Sequence, residues 1–333
     1  MLVPMQQLIS IVVPFYNEGA GVEVFYQTIQ RFVDGLPDVR FEMVCVDDGS
    51  TDDTLTRLRK AADNDSRYRV IELSRNFGKE AALTAGINEA RGDAVIPMDA
   101  DMQDSPELIV GMLAEWRAGA DMVLAKRGNR GKDSVFKRES AKWFYRFHNR
   151  VSSVSIPENV GDFRLLDRAA VDALKQLPEQ QRFMKGLFAW IGFRTKTLEY
   201  ERKERIVGKS KFSVWKLWNF ALDGITSFST APLRIWTYLG VVVALLTLVY
   251  AGFMVVKKLT GNVDVPGYAS LFVAVLFLGS LQLISIGVLG EYIGRIYIES
   301  KRRPQYIVRK IYQSQENLPP TAHLTDLSGE ERS

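Results

Sequence analysis

Between residues 8 and 127, short apolar runs alternate with stretches whose apolar residues recur every three or four positions. The runs at 8–13, 41–46, 68–73, 93–98 and 121–125 predict five strands, mostly buried. Between them, Val22, Phe25, Ile29 and Phe32 fall on one helical face, and Ser50 with Asp53 reads as a capping box ahead of Leu55, Leu58 and Ala62. A later helix is predicted to open with Ser105 as N-cap and Pro106 in first position, to run through Leu108, Met112 and Trp116, and to end at Gly119. This alternation predicts an α/β fold: a mainly parallel sheet covered on both faces, with ligands binding beyond the carboxyl ends of its strands.

The pattern then changes. From 126 to 211 it is less regular, with helices predicted around 136–151 and 168–176 and a basic run at 201–211. Two uncharged apolar stretches follow, 235–256 and 269–290, and both read as transmembrane helices. The first covers about 33 Å as a helix, the thickness of a bilayer's hydrocarbon core. Just before them, Trp215, Leu217, Trp218 and Phe220 mix with Lys211 and Lys216, a composition suited to a helix lying in the membrane interface. Lys257 and Lys258 are the only cations between the spans. Lys203, Arg205, Lys209, Lys211, Lys216 and Arg234 precede them, and Arg295, Lys301, Arg302, Arg303, Arg309 and Lys310 follow, which places both termini in the cytosol. Glu291 and Arg295, one turn apart at the end of the second span, are spaced to pair on a helix. Beyond Gln313 the polar chain offers no apolar face to bury and reads as disordered. Residues 1–7 lack the basic-then-apolar pattern of a cleaved signal.

Composition adds little until its distribution is considered. Of 333 residues, 47% are hydrophobic and 25% charged, an ordinary average that conceals the apolar spans. The net charge of +4 comes mostly from the second half, around those spans, which favours an anionic membrane surface over nucleic acid as a partner. Cys45 is the single cysteine, so no intrachain disulfide forms, and its apolar surroundings make it core filler.

Three predicted strand ends carry candidate chemistry. Pro14 stops the first strand, and Tyr16 and Glu18 then present an aromatic face and a carboxylate that suit a base and ribose. The second strand ends in Asp47 and Asp48, adjacent carboxylates that repel each other unless donors engage them. Helix capping accounts for Ser50 and Asp52 but leaves Asp47 and Asp48 for a ligand. The fourth strand ends in Asp99, Ala100, Asp101, Met102 and Gln103, and the alternation of an extended segment places Asp99, Asp101 and Gln103 on one side. Three oxygen ligands of this kind suit a hard divalent ion, Mg²⁺ or Mn²⁺, that retains open positions for a diphosphate. His148, in an aromatic and basic stretch, reads as a packed or interfacial residue.

Read together, these motifs resemble glycosyltransferase family 2 with its GT-A fold, and within it the polyprenyl-phosphate glycosyltransferases, relatives of dolichyl-phosphate mannose synthase. The resemblance rests on the segments beginning at Ser74, Asp99 and Gly161, namely SRNFGKE, DADMQD and GDFR, and on the two C-terminal spans. It implies a Rossmann-like catalytic domain over 1–211, amphipathic juxtamembrane helices over 212–234, spans at 235–256 and 269–290, and a cytosolic tail over 291–333. It further implies that Pro14, Tyr16, Glu18, Asp47, Asp48 and Ala100 surround the nucleotide-sugar, with Asp99, Asp101 and Gln103 around metal and diphosphate. Arg127 and the basic loop with Arg205 and Lys211 would grip the diphosphate or the lipid phosphate. Asp162 matches the acidic residue placed near the acceptor and described as the base. Because a phosphate monoester is largely dianionic in the cytosol, Asp162 is expected to orient groups as much as to take protons. The implied reaction is inverting transfer of a hexose, first glucose from UDP-glucose, to polyprenyl phosphate at the cytosolic face of the inner membrane. GDP-mannose, UDP-N-acetylglucosamine, a non-catalytic nucleotide-binding scaffold and a flippase subunit stay open as alternatives, as does homo-oligomerisation through the spans. The Q-x-x-R-W motif of processive synthases is absent, Gln181-Arg182-Phe183 being different.

Overall fold

The computed structural model describes residues 6–128, 157, 160–180, 182–200, 229–260 and 267–313. The predicted helix at 136–151 with His148, the basic run with Arg205 and Lys211, the interfacial helix before the first span, and the tail beyond Gln313 lie outside them.

The first half alternates as its apolar runs require: β1 (Leu8–Phe15), α1 (Gly19–Asp34), β2 (Arg40–Asp47), α2 (Thr54–Asn64), β3 (Tyr68–Leu73), α3 (Lys79–Glu89), β4 (Ala94–Pro97), α4 (Leu108–Arg117) and β5 (Met122–Arg127). Then come β6 (Val160–Asp167), α5 (Arg168–Lys175), α6 (Met184–Trp190) and β7 (Thr195–Tyr200). Two long helices, α7 (Ala231–Leu259) and α8 (Tyr268–Ser300), are followed by β8 (Val308–Gln313). The strands form one sheet in the order β7-β5-β6-β4-β1-β2-β3-β8. Strands β3, β2, β1 and β4 run parallel, whereas β6 and β8 are antiparallel to their neighbours.

Helices cover both faces of this sheet. Ile9, Ile11, Val13 and Phe15 of β1 point into one core with α1, α2 and α4, while Val12 points into the other with α3, α5 and α6. Burial on both sides is why the strand sequences read as apolar runs without a polar face. Cys45 is wholly buried in the first core, as its surroundings require. Gly86 of α3 sits where a Cβ would lie 2.3 Å from Val12 Cγ1, so the absent side chain lets α3 lie close on β1.

Two local expectations are corrected. Pro14 does not stop β1, since it pairs in register with Val46 and the strand continues to Phe15. Its missing N–H faces the side of β4, which has ended at Pro97, so no ladder bond is lost. Nor does a Ser50–Asp53 capping box open α2. Asp52 does that work instead, its Oδ1 accepting from the Thr54 amide at 3.0 Å. The α4 boundaries hold to within two residues at the start, and Gly119 follows its end at φ 99°.

The two apolar stretches fall within α7 and α8, which contain candidate membrane spans at Leu233–Tyr250 and Ala274–Ser300. At 29 and 33 residues these helices are about 43 and 50 Å long, more than a bilayer core requires. Their apolar side chains are uncovered, with Val249 73% and Leu283 72% exposed, unlike those of a soluble protein's core helix. Glu291 and Arg295 form the expected pair at 2.9 Å. After α8 the chain returns to the sheet. Gln180 N donates to both carboxylate oxygens of Glu299, Asn88 Nδ2 to Tyr306 Oη at 2.9 Å, and Ser74 N to the Ile307 carbonyl at 2.9 Å, before β8 pairs with β3.

Candidate active site

Because β1, β2, β4 and β5 are mutually parallel or share the antiparallel β6 as neighbour, their carboxyl ends and the start of β6 meet at one edge. Most of the predicted site residues gather there. Tyr16 is 43% exposed above the end of β1. The turn below it is sewn to the β2 loop: Asn17, at φ 52°, receives the Thr51 amide on its side-chain oxygen at 2.8 Å, and Glu18 N donates to Thr54 Oγ1 at 3.0 Å.

The adjacent acids of β2 have different jobs. Asp48 is buried, and its two oxygens accept the amides of Phe77 at 2.7 Å and Gly78 at 2.9 Å, which fixes the loop leading into α3. Gly49, at φ 66°, permits that approach, since a Cβ there would lie 2.4 Å from the Arg75 carbonyl carbon. Asp47 accepts from Ser50 N at 3.2 Å through Oδ2, while its Oδ1 is buried with no partner among the described residues. Burial raises the pKa of both above the ordinary aspartate value, against hydrogen bonds that lower it. Asp48 is therefore committed to the fold, and Asp47 retains an oxygen for a ligand.

Past β4 the chain turns instead of staying extended: the strand ends at Pro97 and Met102 adopts φ 52°. Ala100 and Met102 are buried in the first core, which leaves Asp99 and Asp101 partly exposed on the other side. Strand alternation, the expected cause of a shared side for Asp99, Asp101 and Gln103, does not apply here, and Gln103 is buried. With its methyl in the core, Ala100 has only its backbone to offer a ligand. Gln103 donates its backbone N–H to Asp101 Oδ1 at 3.2 Å, and its Oε1 is buried with no partner among the described residues. Among the described residues no group of three or more His, Cys, Asp or Glu side chains stands ready to hold a metal. The oxygen set here is two carboxylates and one amide.

Lys79, the first residue of α3, joins this turn to β6. Its Nζ lies 2.6 Å from Asp99 Oδ1 and 2.8 Å from Asp162 Oδ2. Burial opposes charge on both partners, yet both keep it. Asp99 and Asp162 raise the lysine pKa, and Lys79, Lys185 and Arg164 hold Asp162 well below the usual carboxylate range. Glu80, the next residue, goes the other way: burial and then Asp162 push it up to about 7, while its Oε2 accepts the Met184 amide at 3.2 Å. Arg164 lies beneath, donating to the Gly161 carbonyl at 2.7 Å and stacked 4.1 Å from the Phe188 ring centroid; burial lowers its pKa to about 10.

Arg127, at the end of β5, pairs in register with Tyr200 of β7 and lies beside Gly161, with its Nε buried and without a partner among the described residues. The Tyr200 hydroxyl donates to Asp104 and lies within hydrogen-bond reach of Arg127. Lys79, Glu80, Arg164 and Lys185 received no role from sequence alone. One signal was available for Lys79: a cation in the first turn opposes the helix dipole, so something must hold it there.

Known sequences show the same division of the chain. The pattern of Glycosyl transferase family 2 matches residues 10–175, and that of the GtrB C-terminal hairpin matches 231–296, which covers most of α7 and α8. A bactoprenol glucosyl transferase of Shigella phage SfV is 52% identical over 90% of this chain and 98% of its own length. An uncharacterized glycosyltransferase of Synechocystis is 51% identical over 91% of this chain and 95% of its own. Among solved structures, a glucosyl-3-phosphoglycerate synthase of Mycobacterium tuberculosis with Mn²⁺, UDP and phosphoglyceric acid aligns at TM-score 0.47 and 21% identity, covering 66% of this chain and 76% of that one.

Proposed function

The chain belongs to glycosyl transferase family 2, and from that premise we propose that it transfers glucose from UDP-glucose to a polyprenyl phosphate at a membrane surface. The observation that carries this reading is that Lys79 joins Asp99, in the turn after β4, to Asp162 of β6 at one edge of the sheet, in a chain that also bears two uncovered apolar helices. The glucosyl and polyprenyl assignments follow the bactoprenol glucosyl transferase whose sequence this chain matches nearly end to end.

In this reading Tyr16, Glu18 and Asp47 line the nucleoside side of the cleft, beside Pro14. Asp99, Asp101 and the Oε1 of Gln103, which has no partner among the described residues, fit a Mg²⁺ or Mn²⁺ ion, which characteristically uses one or two protein carboxylates and completes its shell with phosphate oxygens and water. When bound, such an ion neutralises charge developing on the departing diphosphate. Arg127, together with Arg205 and Lys211, supplies further positive charge to the phosphates. An oxygen of the lipid phosphate attacks the anomeric carbon on the face opposite the diphosphate, so configuration inverts and a β-linked lipid-phosphate sugar results.

Helices α7 and α8 would hold this cleft at the surface where the acceptor's phosphate lies, so that anchoring raises its effective concentration. The basic flanks support a cytosolic catalytic domain at the inner membrane, and the uncovered apolar faces suit contacts between copies as well as lipid. The test is transfer of radiolabel from a panel of nucleotide sugars to undecaprenyl phosphate by purified protein with Mg²⁺ or Mn²⁺. Metal-dependent labelled lipid from UDP-glucose, abolished in Asp101→Ala, is the expected outcome. Tight nucleotide binding without transfer from any donor would instead make the chain a nucleotide-binding scaffold.

A further inference from the structure

Building on the acceptor assignment above, we propose that Lys79 seats the acceptor's phosphate and that Asp162 is a positioning residue, aiming the Lys79 ammonium instead of serving as the base. The geometry of the three side chains leads there. An ammonium has three N–H donors, and two of those on Lys79 go to Asp99 and Asp162. No third protein partner appears among the described residues, and the lysine side chain is 46% exposed, which leaves one donor uncommitted. Lys79 thus reaches out from between the turn assigned to the donor and the strand assigned to the acceptor.

Asp162 is badly placed to act alone. Its Oδ2 is occupied by Lys79, and its Oδ1 is buried out of contact with solvent. A molecule in the site could meet this carboxylate only through Oδ2, beside the ammonium that already holds it. A phosphate brought directly against this carboxylate would meet like charge, whereas a lysine between the two satisfies both. The reaction also balances without a base. The dianionic phosphate supplies the electron pair for the new bond from oxygen to the anomeric carbon, the bond from that carbon to the diphosphate breaks, and the pair leaves with the diphosphate. The monoester's second pKa of about 6 means no proton need be removed at neutral pH.

The test is a double-mutant cycle on the full-length protein in detergent, with undecaprenyl phosphate and UDP-glucose as substrates. Lys79→Met is expected to raise the acceptor KM roughly ten- to a hundredfold, the value of a charge-assisted hydrogen bond, a larger change than any in UDP affinity measured by calorimetry. Lys79→Arg, which keeps the charge, recovers most of that loss. Asp162→Asn alone also raises the acceptor KM, but added to Lys79→Met it costs less than about threefold more, because the two act as one unit. Three outcomes overturn the proposal: an unchanged acceptor KM in Lys79→Met, losses that multiply in the double variant, or an Asp162→Asn enzyme with normal acceptor KM and abolished turnover. Melting temperatures check that each variant folds, and should Lys79→Met not fold, Lys79→Gln against Lys79→Arg reads the same contact. Active wild-type protein with unaffected Lys79 variants sinks this inference alone. Wild-type protein that labels no polyprenyl phosphate sinks the functional reading with it.

Discussion

At the scale of single residues, the site depends on side chains that never face a ligand. Asp48 is the clearest, since the loop delivering Lys79 hangs on its two oxygens. Asp48→Asn replaces one acceptor with an amide NH₂ that confronts a backbone N–H, so about 1–3 kcal/mol of stability should be lost, and transfer should fall as Lys79 drifts. Thermal melting and radiolabel transfer on the same preparation check both. Glu80 gives a pH effect. Its pKa, pushed up to about 7 in the fold by burial and then by Asp162, exceeds the value of about 4.3 for an unfolded glutamate. A carboxyl raised in this way favours the folded state while protonated, so that contribution is complete below pH 4 and disappears as pH rises through about 7. Wild-type protein should therefore lose melting temperature between pH 5 and 8 relative to Glu80→Gln, whose side chain does not titrate, and parallel curves would refute this. Asp162, depressed by Lys79, acts at the other end of the scale, its contribution vanishing only as pH falls below the ordinary aspartate range.

At the scale of elements, legibility followed burial. Strands β1 to β5 announced themselves because both their faces are covered, and α5 followed from its period. Three strands did not. In β6, Gly161, Asp162 and Arg164 interrupt the apolar pattern because one face holds the charged cluster, so residues singled out for chemistry were not recognised as a strand. Strand β7 is a mostly exposed sheet edge, and β8 is separated from its partner by two long helices, where no local pattern reveals a pairing with β3. The acidic clusters of the site were legible because unpaired carboxylates at strand ends demand an explanation. Lys79 was not, because a lysine at a helix start looks like a solvated charge until its carboxylates are placed. The β8 pairing has its own consequence: Tyr312 Oη donates to the buried Glu72 at 2.7 Å, Arg309 reaches the same carboxylate at 3.2 Å, and Ser74 N, at the root of the Lys79 loop, bonds to Ile307. Replacing residues 308–313 with a Gly-Ser repeat should lower the melting temperature by roughly 5 °C and reduce transfer, with the membrane-bound fraction unchanged.

At the scale of the whole molecule, that same strand constrains topology. A chain that leaves the sheet after β7, passes through two apolar helices and then completes the sheet with β8 must have both flanks of the helices on one side of any membrane they cross. This argument is independent of charge counting, which leads to the same arrangement from the distribution of Lys and Arg. Neither depends on the other, so a single experiment can contradict both. Cys45 is buried and is the single cysteine, so introduced thiols can be read against a silent background. Asp63→Cys on α2 and Arg302→Cys after α8 should be protected together from a membrane-impermeant maleimide in intact cells and become labelled together once the membrane is opened. Leu259→Cys, 82% exposed where α7 ends, should be labelled without opening. If Asp63→Cys and Arg302→Cys labelled differently, only one helix would cross, and β8 could not reach β3.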